Sequence, residues 1–284
     1  MANFDWKKSL YPLEREYFEW HTIKGTHFFS DSRSIETALR RYHDEVEKLF
    51  SITLNSILTE TTFLTEVHGH LTSYPRANNA IGMYLLFSII GLQRWMQAKY
   101  TSLRFDVQPT DIVFDCGAFN GGFSSYAAAR GATVIAFEPS KRNFIHLETN
   151  TKNLNIRKYS RGLNSKDGYQ DFFESSSATD SSFLTPDTGE ILKNYQVQIC
   201  RLDTLVRSEK LPIPTFLKLE AEGNELDILK GIGDLKIKKI SVDASDEGGI
   251  LNNCQRINKK LENLGYFVTR EVNMLYAELI EYDI

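Results

Sequence analysis

Apolar residues recur along this chain with two different periods. Up to about residue 105 the steps are three and four. Ile35, Leu39, Tyr42, Val46, Leu49, Phe50, Ile52 and Leu54 fall on one helical face, and Ser34-Ile35-Glu36-Thr37 offers cap-like chemistry ahead of them. A second helix is predicted from about Asn78 to Tyr100. Its apolar residues (Ile81, Met83, Tyr84, Leu85, Leu86, Phe87, Ile89, Ile90) nearly encircle it, the mark of a helix buried on most sides. Beyond 105 the pattern changes to short apolar runs separated by helix-length segments. The runs are Ile112-Val113-Phe114, Val134-Ile135-Ala136-Phe137, Thr215 to Leu219 and Ile237 to Val242. Such spacing predicts βαβ units and a parallel sheet. Tyr266 to Thr269 and Met274 to Ile280 lie at hairpin spacing, so the final strand should be antiparallel.

These textures predict an N-terminal helical region, residues 1–105, acting as a cap or oligomerisation element. An α/β domain over 106–284 follows it. The polar stretch from Ser175 to Asn194 reads as a solvated loop or as a mobile lid over a site.

Composition narrows the class. With 284 residues, 42% apolar and 25% charged, the chain is that of a folded protein. Lys plus Arg is 33 and Asp plus Glu 37, so the basic excess that drives non-specific nucleic-acid binding is absent. Cys116, Cys200 and Cys254 are odd in number and widely spaced, which argues against a disulfide framework or structural zinc and for a reducing cytoplasm. The most apolar stretch, Ala80 to Leu92, is shorter than the roughly 20 residues of a membrane span.

Asp111-Ile112-Val113-Phe114-Asp115-Cys116-Gly117-Ala118-Phe119-Asn120-Gly121-Gly122 carries the candidate chemistry. A strand ends in an acid, a glycine lets the backbone bend sharply, and a helix follows. Glu138, twenty-one positions after Gly117, ends the next strand, where a carboxylate can accept from both ribose hydroxyls. Gly117-x-x-x-Gly121-Gly122 departs from the G-x-G-x-x-G of nicotinamide sites. Asp115 would also stand near a pyrophosphate, an unfavourable pairing. S-adenosylmethionine carries an ammonium and a sulfonium instead, and suits an acidic pocket; another nucleotide, or a decayed site, stays open.

These residues resemble the FkbM family of S-adenosylmethionine-dependent methyltransferases. Val113 to Gly121 is similar to the family's D-x-G-A-N-x-G, with Phe119 in the place of its Asn. Val134 to Ser140, with Asn143, Leu147 and Asn150, is similar to V-x-A-F-E-P. Leu217-Lys218-Leu219-Glu220-Ala221-Glu222-Gly223-Asn224-Glu225 is similar to L-K-I-D-V-E-G-x-E, with Glu220 for its Asp, and Leu202-Asp203-Thr204-Leu205 to the preceding L-D-x-L. The resemblance covers about 110 to 282. It implies a Rossmann-like class I methyltransferase with seven strands, the last antiparallel. It also implies an S-adenosylmethionine donor and O-methylation of sugars, glycans or polyketide-type products.

The candidate donor-binding set is Asp115, Gly117, Ala118, Gly121, Glu138, Pro139 and Leu163. Lys218, Glu220 and Glu222 alternate along an extended segment and point together toward the cleft, as catalytic or acceptor-orienting groups or as a salt-bridge network. Glu225 is expected to cap the following helix. Glu220, Glu222, Asp243 and Asp246 form a candidate divalent-metal set. His68 and His70 belong to a surface loop or contribute a base, and Cys116 is a buried strand-end residue. Acceptors are small molecules or glycans, with a homo-oligomer possible through the N-terminal helices.

Overall fold

The computed structural model of the protein describes residues 54–58, 62–67, 70–75, 89–102, 104–187 and 189–280. Its centre is a seven-stranded sheet. Strands β4 (Ile112–Cys116), β5 (Thr133–Phe137) and β6 (Ile156–Tyr159) run outward on one side. Strands β10 (Phe216–Leu219), β11 (Lys239–Asp243), β12 (Tyr266–Glu271) and β13 (Met274–Leu279) complete the other. Their order is β12-β13-β11-β10-β4-β5-β6. The five strands from β6 to β11 pair in parallel. The last, β13, is inserted antiparallel between β11 and β12. This is the class I methyltransferase arrangement, and it bears out the four apolar runs and the C-terminal hairpin.

Alternation along the strands fills two cores, because successive side chains leave opposite faces. Phe114, Phe137, Leu217, Leu219, Ile240 and Val242 share a core with helices α4 (Leu202–Ser208), α5 (Glu225–Gly231) and α6 (Asn253–Asn263). Val113, Val134, Ala136 and Phe216 face α1 (Ile89–Tyr100) and α2 (Gly122–Ala129), through Tyr100, Phe123 and Ala127. Leu147 of α3 (Lys141–Asn150) joins that second core.

The N-terminal region differs from its helical expectation. Residues 54–75 form an antiparallel meander of β1 (Leu54–Leu58), β2 (Thr62–Val67) and β3 (His70–Pro75). Thr62-Phe63-Leu64-Thr65-Glu66-Val67 is rich in β-branched and aromatic residues, and cross-strand pairing outweighs the helical spacing that precedes it. Helical structure is present over Ile89–Tyr100, the second half of the predicted helix. The expected helix over 35–54 lies outside the described residues, apart from Leu54, which opens β1. His146 of α3 packs inward. Its Nδ1 lies 2.7 Å from Ser73 Oγ, and Asn150 bonds both the N–H and the carbonyl of Ser73, tying β3 to the α/β domain.

A third sheet was not foreseen. It joins β7 (Gly162–Leu163), β9 (Ile191–Cys200) and β8 (Gly168–Ser175). Of the polar stretch 175–194, residues 176–190 form the connection within that β8–β9 hairpin, with a 3₁₀ turn at Ala178–Asp180, while Ser175 and Ile191 to Asn194 lie in the strands themselves. Among the described residues no helix is long and apolar enough to cross a membrane.

Candidate active site

The turn after β4 is forced by close backbone approach. Gly117 has φ +72°, and a Cβ there would lie 1.7 Å from the carbonyl oxygen of Glu220. Glycine therefore lets the ends of β4 and β10 touch, where any side chain would collide. The N–H groups of Gly117 and Ala118 both donate to the Phe137 carbonyl at 3.0 Å. Phe119 takes φ +50°, and Gly121 caps α2 with φ +92°.

Beneath this turn sits a buried ion network. Asp115 is fully buried; its Oδ2 accepts from Ser124 Oγ at 2.6 Å and its Oδ1 lies 3.1 Å from Lys218 Nζ. Lys218, 1% exposed, also donates to the carbonyls of Gly117 (2.6 Å) and Cys116 (3.2 Å), and sits 3.4 Å from Glu220 Oε2. Lys99, from the last turn of α1, reaches Glu220 Oε1 at 2.5 Å and Asp243 Oδ2 at 2.8 Å. Both ammoniums lie over the Tyr100 ring. Burial opposes charge on Lys218, but Asp115 and Glu220 outweigh it and its pKa is raised. Burial likewise opposes charge on Glu220, yet Lys99 and Lys218 hold its pKa at about 2. Lys218 is thus a fixed cation rather than a base, and Glu220 a fixed anion.

The network underlies one wall of a cavity with about 940 Å³ of empty space, its mouth included. Gly117, Ala118, Glu138, Pro139, Leu163, Lys218, Glu220 and Glu222 all line it, so eight of the ten predicted site residues converge there. Asp115 and Gly121 do not. Asp115 lies behind the wall, paired with Lys218. Gly121 instead relieves crowding: a Cβ there would meet Thr151 Cγ2 at 2.8 Å.

Glu138 is 5% exposed. Its Oε2 accepts from the Phe119 N–H and its Oε1 from the Ser140 N–H, both at 2.8 Å. Burial pushes its pKa up to about 7, against the pull of those two donors. Leu163 is held in the wall by Asn224, whose Nδ2 donates to its carbonyl at 2.9 Å. Asn120 lines the cavity, is 2% exposed, and its Nδ2 has no hydrogen-bond partner among the described residues.

Extended geometry does not continue to Glu222, as the sequence pattern suggested. Strand β10 ends at Leu219, and Glu222 takes φ +48° in the turn before α5. Glu222 Oε atoms approach Asp180 and Glu247 instead; one ligand atom from each of the three lies within 4.8 Å of the others. Burial, then Glu220, Glu247, Glu225 and Asp180, pushes the Glu222 pKa up to about 9. The predicted metal set does not assemble: Glu220 and Asp243 are taken by Lys99, and Asp246 Oδ1 accepts from the Asn253 N–H at 2.8 Å. Glu225 caps as expected, its Oε1 accepting from the Ala221 N–H at 2.7 Å. Cys116 is buried, with its thiol pKa pushed up by burial. Of the two N-terminal histidines, His68 lies outside the described residues and His70 opens β3.

Lys99, Tyr100 and Asn120 escaped the sequence reading. Asn120 adjoins the motif position and was open to discovery. Nothing in the pattern around Lys99 connects it to a strand end more than 120 residues away.

The profile of the family described as "Methyltransferase FkbM domain" matches residues 115–268, more than half of the chain. The chain belongs to the FkbM methyltransferase domain family. Asp115, Glu138, Lys218, Glu220 and Glu222 all lie inside the matched segment, whereas Lys99 lies outside it. Among curated proteins, the hexuronic acid methyltransferase AglP of Haloferax volcanii is 28% identical over 129 residues, covering 45% of this chain and 52% of AglP. The match thus spans about half the length of that relative. An FkbM methyltransferase structure from Methylobacillus flagellatus KT aligns over 71% of this chain and 55% of that one, with TM-score 0.40 and 17% identity. Aeropyrum pernix fibrillarin, solved with bound S-adenosyl-L-methionine, aligns over 80% and 98%, with TM-score 0.43 and 11% identity.

Proposed function

We propose that this FkbM-family protein is an S-adenosylmethionine-dependent O-methyltransferase acting on a hydroxyl of a sugar or glycan. The observation that carries the donor assignment is Glu138, buried at the end of β5 with both oxygens already oriented by backbone N–H groups at the cavity wall. An oriented carboxylate there suits a vicinal diol. The orphan N–H of Asn120 needs an acceptor, and the donor's carboxylate is one. Both features fit the donor. The sugar assignment draws on the likeness to AglP and belongs with this proposal.

When bound, the donor supplies a methyl group on a good leaving group, so orientation contributes most of the rate. The chain's own part is to hold and to take up a proton. Lys218 and Lys99 fix Glu220 and the strand ends. An acceptor hydroxyl must lose its proton, and Glu222 is the cavity-lining catalytic candidate whose carboxyl exchanges a proton in the neutral-to-alkaline range. We place the domain boundary near 105, with α1 closing the site from the N-terminal side through Lys99. Asp180, Glu222 and Glu247 are oxygen donors of the kind hard cations prefer, but no step here runs through a metal.

Calorimetric titration of S-adenosylmethionine against the wild type and Glu138→Ala tests the donor site, and unchanged affinity overturns it. Labelled-donor assays on a panel of sugars and glycans test the acceptor class. Incorporation into natural-product hydroxyls alone would replace it.

A further inference from the structure

The β8–β9 connection lies against loops from three other parts of the fold, at spots cleared of side chains. Glycines make the room. A Cβ at Gly162, which opens β7, would meet the Phe183 ring at 2.5 Å from Cζ and 2.7 Å from Cε2. A Cβ at Gly223, after β10, or at Gly248, after β11, would lie 2.6 Å from Leu184 Cδ1. The backbone of Gly162 is not left-handed, so the ring rather than the turn is what excludes a side chain there. Phe183 is also held from its flanks. Ser182 exchanges two backbone hydrogen bonds with Phe173 of β8, at 2.8 and 3.0 Å. Its Oγ donates to the Glu222 carbonyl at 2.8 Å and accepts from the Leu184 N–H at 3.0 Å. The Phe183 ring meets Phe172 edge-on, with centroids 5.1 Å apart, and it lines the cavity.

We infer that Phe183 is the stacking platform for the donor's purine ring. This rests on the S-adenosylmethionine reading above and deepens it, by adding a donor-binding residue from the polar stretch that carries none of the motif segments. The strand order sets the direction. With the ribose diol held by Glu138 at the end of β5, the donor's two arms leave in opposite directions along the sheet edge. One direction leads to β4 and β10, with the Gly117 turn and the Asn120 amide. The other leads to β6 and the Gly162–Leu163 segment beyond it. The amino-acid arm, with its carboxylate, fits the first. The purine takes the second, where Leu163 and Phe183 both line the cavity. A ring already held in place offers a flat face without losing conformational freedom, and any purine face can stack on it. The other rings at the cavity are engaged elsewhere. Phe137 is fully buried and stacked on Tyr159, with 8° between the planes. Phe172 is packed between Phe183 and Tyr195, and Phe123 packs on Tyr100, Tyr126 and Phe216. Phe119 belongs to the turn after β4, on the side of the amino-acid arm.

The test uses the full chain and two ligands measured by calorimetry, S-adenosylhomocysteine and 5′-methylthioadenosine. They share the purine and ribose, and only the first has the amino-acid arm. Phe183→Leu keeps apolar bulk but removes the ring. It should weaken both ligands by a similar factor, about tenfold, the size of one lost base-stacking contact. Gly162→Ala puts a methyl group where the ring now lies. It should weaken both ligands on its own, and should add little in the Phe183→Leu background, where the shorter side chain leaves room. Should Phe183→Leu fold poorly, Gly162→Ala alone carries the prediction, and undiminished binding there overturns it. Wild-type affinity in a folded Phe183→Leu overturns the inference. So does a loss confined to S-adenosylhomocysteine, which would trace to the amino-acid arm, and so does an equal loss found in Phe119→Leu but not in Phe183→Leu. Wild-type protein that binds neither ligand overturns the donor reading and the platform with it, whereas tight wild-type binding that the variants leave unchanged overturns the platform alone.

Discussion

Lys99 and Glu220 meet at 2.5 Å across the boundary between the N-terminal region and the family-matched domain. Lys99 also holds Asp243 at 2.8 Å. A single ammonium therefore joins the carboxyl ends of β10 and β11, the edge at which open α/β sheets bind ligands. Its own position is fixed from the opposite side, because Tyr276 OH donates to the Lys99 carbonyl at 2.8 Å. The helix is thereby anchored to the antiparallel last strand as well.

Lys99→Met should be more damaging than its exposed-lysine counterparts elsewhere. Glu220 and Asp243 would lose their shared cation in a mostly buried setting. Removing one partner of a buried pair costs on the order of 3 kcal/mol, less here because the pair keeps some solvent access. Chemical denaturation should show a loss of about 2 kcal/mol, and labelled-donor activity should fall by roughly tenfold or more as the strand ends shift. Lys99→Arg should restore part of both. Wild-type stability in Lys99→Met would show that the ion pairs do not hold the strand ends.

Gly117→Ala tests whether the glycine serves the ligand or the fold. A Cβ 1.7 Å from the Glu220 carbonyl oxygen, at φ +72°, demands that β4 and β10 separate. The expected outcome is a destabilisation of several kcal/mol, roughly 3 or more, and poor soluble yield. A variant that melts like the wild type but fails to bind donor would assign the glycine to the ligand alone.

Four of the five parallel strands were legible because each is largely buried on both faces and reads as a mainly apolar run, as Ile112 to Phe114 does; the fifth, β6, reads Ile156-Arg157-Lys158-Tyr159 and gives no such run. The donor wall was legible because Gly117 and Glu138 fall at strand ends that the pattern itself defines. Strand β9 was hidden for the opposite reason. From Ile191 to Gln196 none of its side chains is fully buried, so it lacks the period-two signal of a half-buried strand. Glu222 was placed on a straight extension of β10, but the chain turns after Leu219 through a left-handed residue that nothing at Ala221-Glu222 announces. Lys99 was invisible because an ion pair across more than 120 residues leaves no local trace.

Glu138→Ala should weaken S-adenosylmethionine binding by about tenfold or more, since it removes both acceptor oxygens from the cavity wall. It also leaves the buried N–H groups of Phe119 and Ser140 without their partners. Glu138→Gln separates the two effects. It keeps one side-chain oxygen for the turn but replaces the other with a donor, so stability should recover more than donor affinity. Equal recovery of both in paired calorimetry and denaturation would make Glu138 a brace for the turn rather than a donor ligand.

Glu222→Gln has a pH signature whose sign follows from the raised pKa of about 9. A free glutamate titrates near 4.3. Between those two values the folded protein binds more protons at this site than the unfolded chain, so stability falls as pH rises. Below the lower value the two states are equally protonated and the site contributes no pH dependence. Gln carries no ionisable proton and abolishes that decline. The melting temperature of Glu222→Gln should therefore match the wild type near pH 4 and exceed it increasingly up to pH 9. The same substitution should flatten the alkaline-rising limb of the methyl-transfer rate, because it removes the group proposed to take the acceptor's proton. A stability advantage that does not grow with pH would place the Glu222 carboxyl in an ordinary solvated setting. A rate profile that keeps its rising limb would move the base elsewhere, with Glu247, whose pKa burial and then Asp187 push up to about 7, as the next residue to replace.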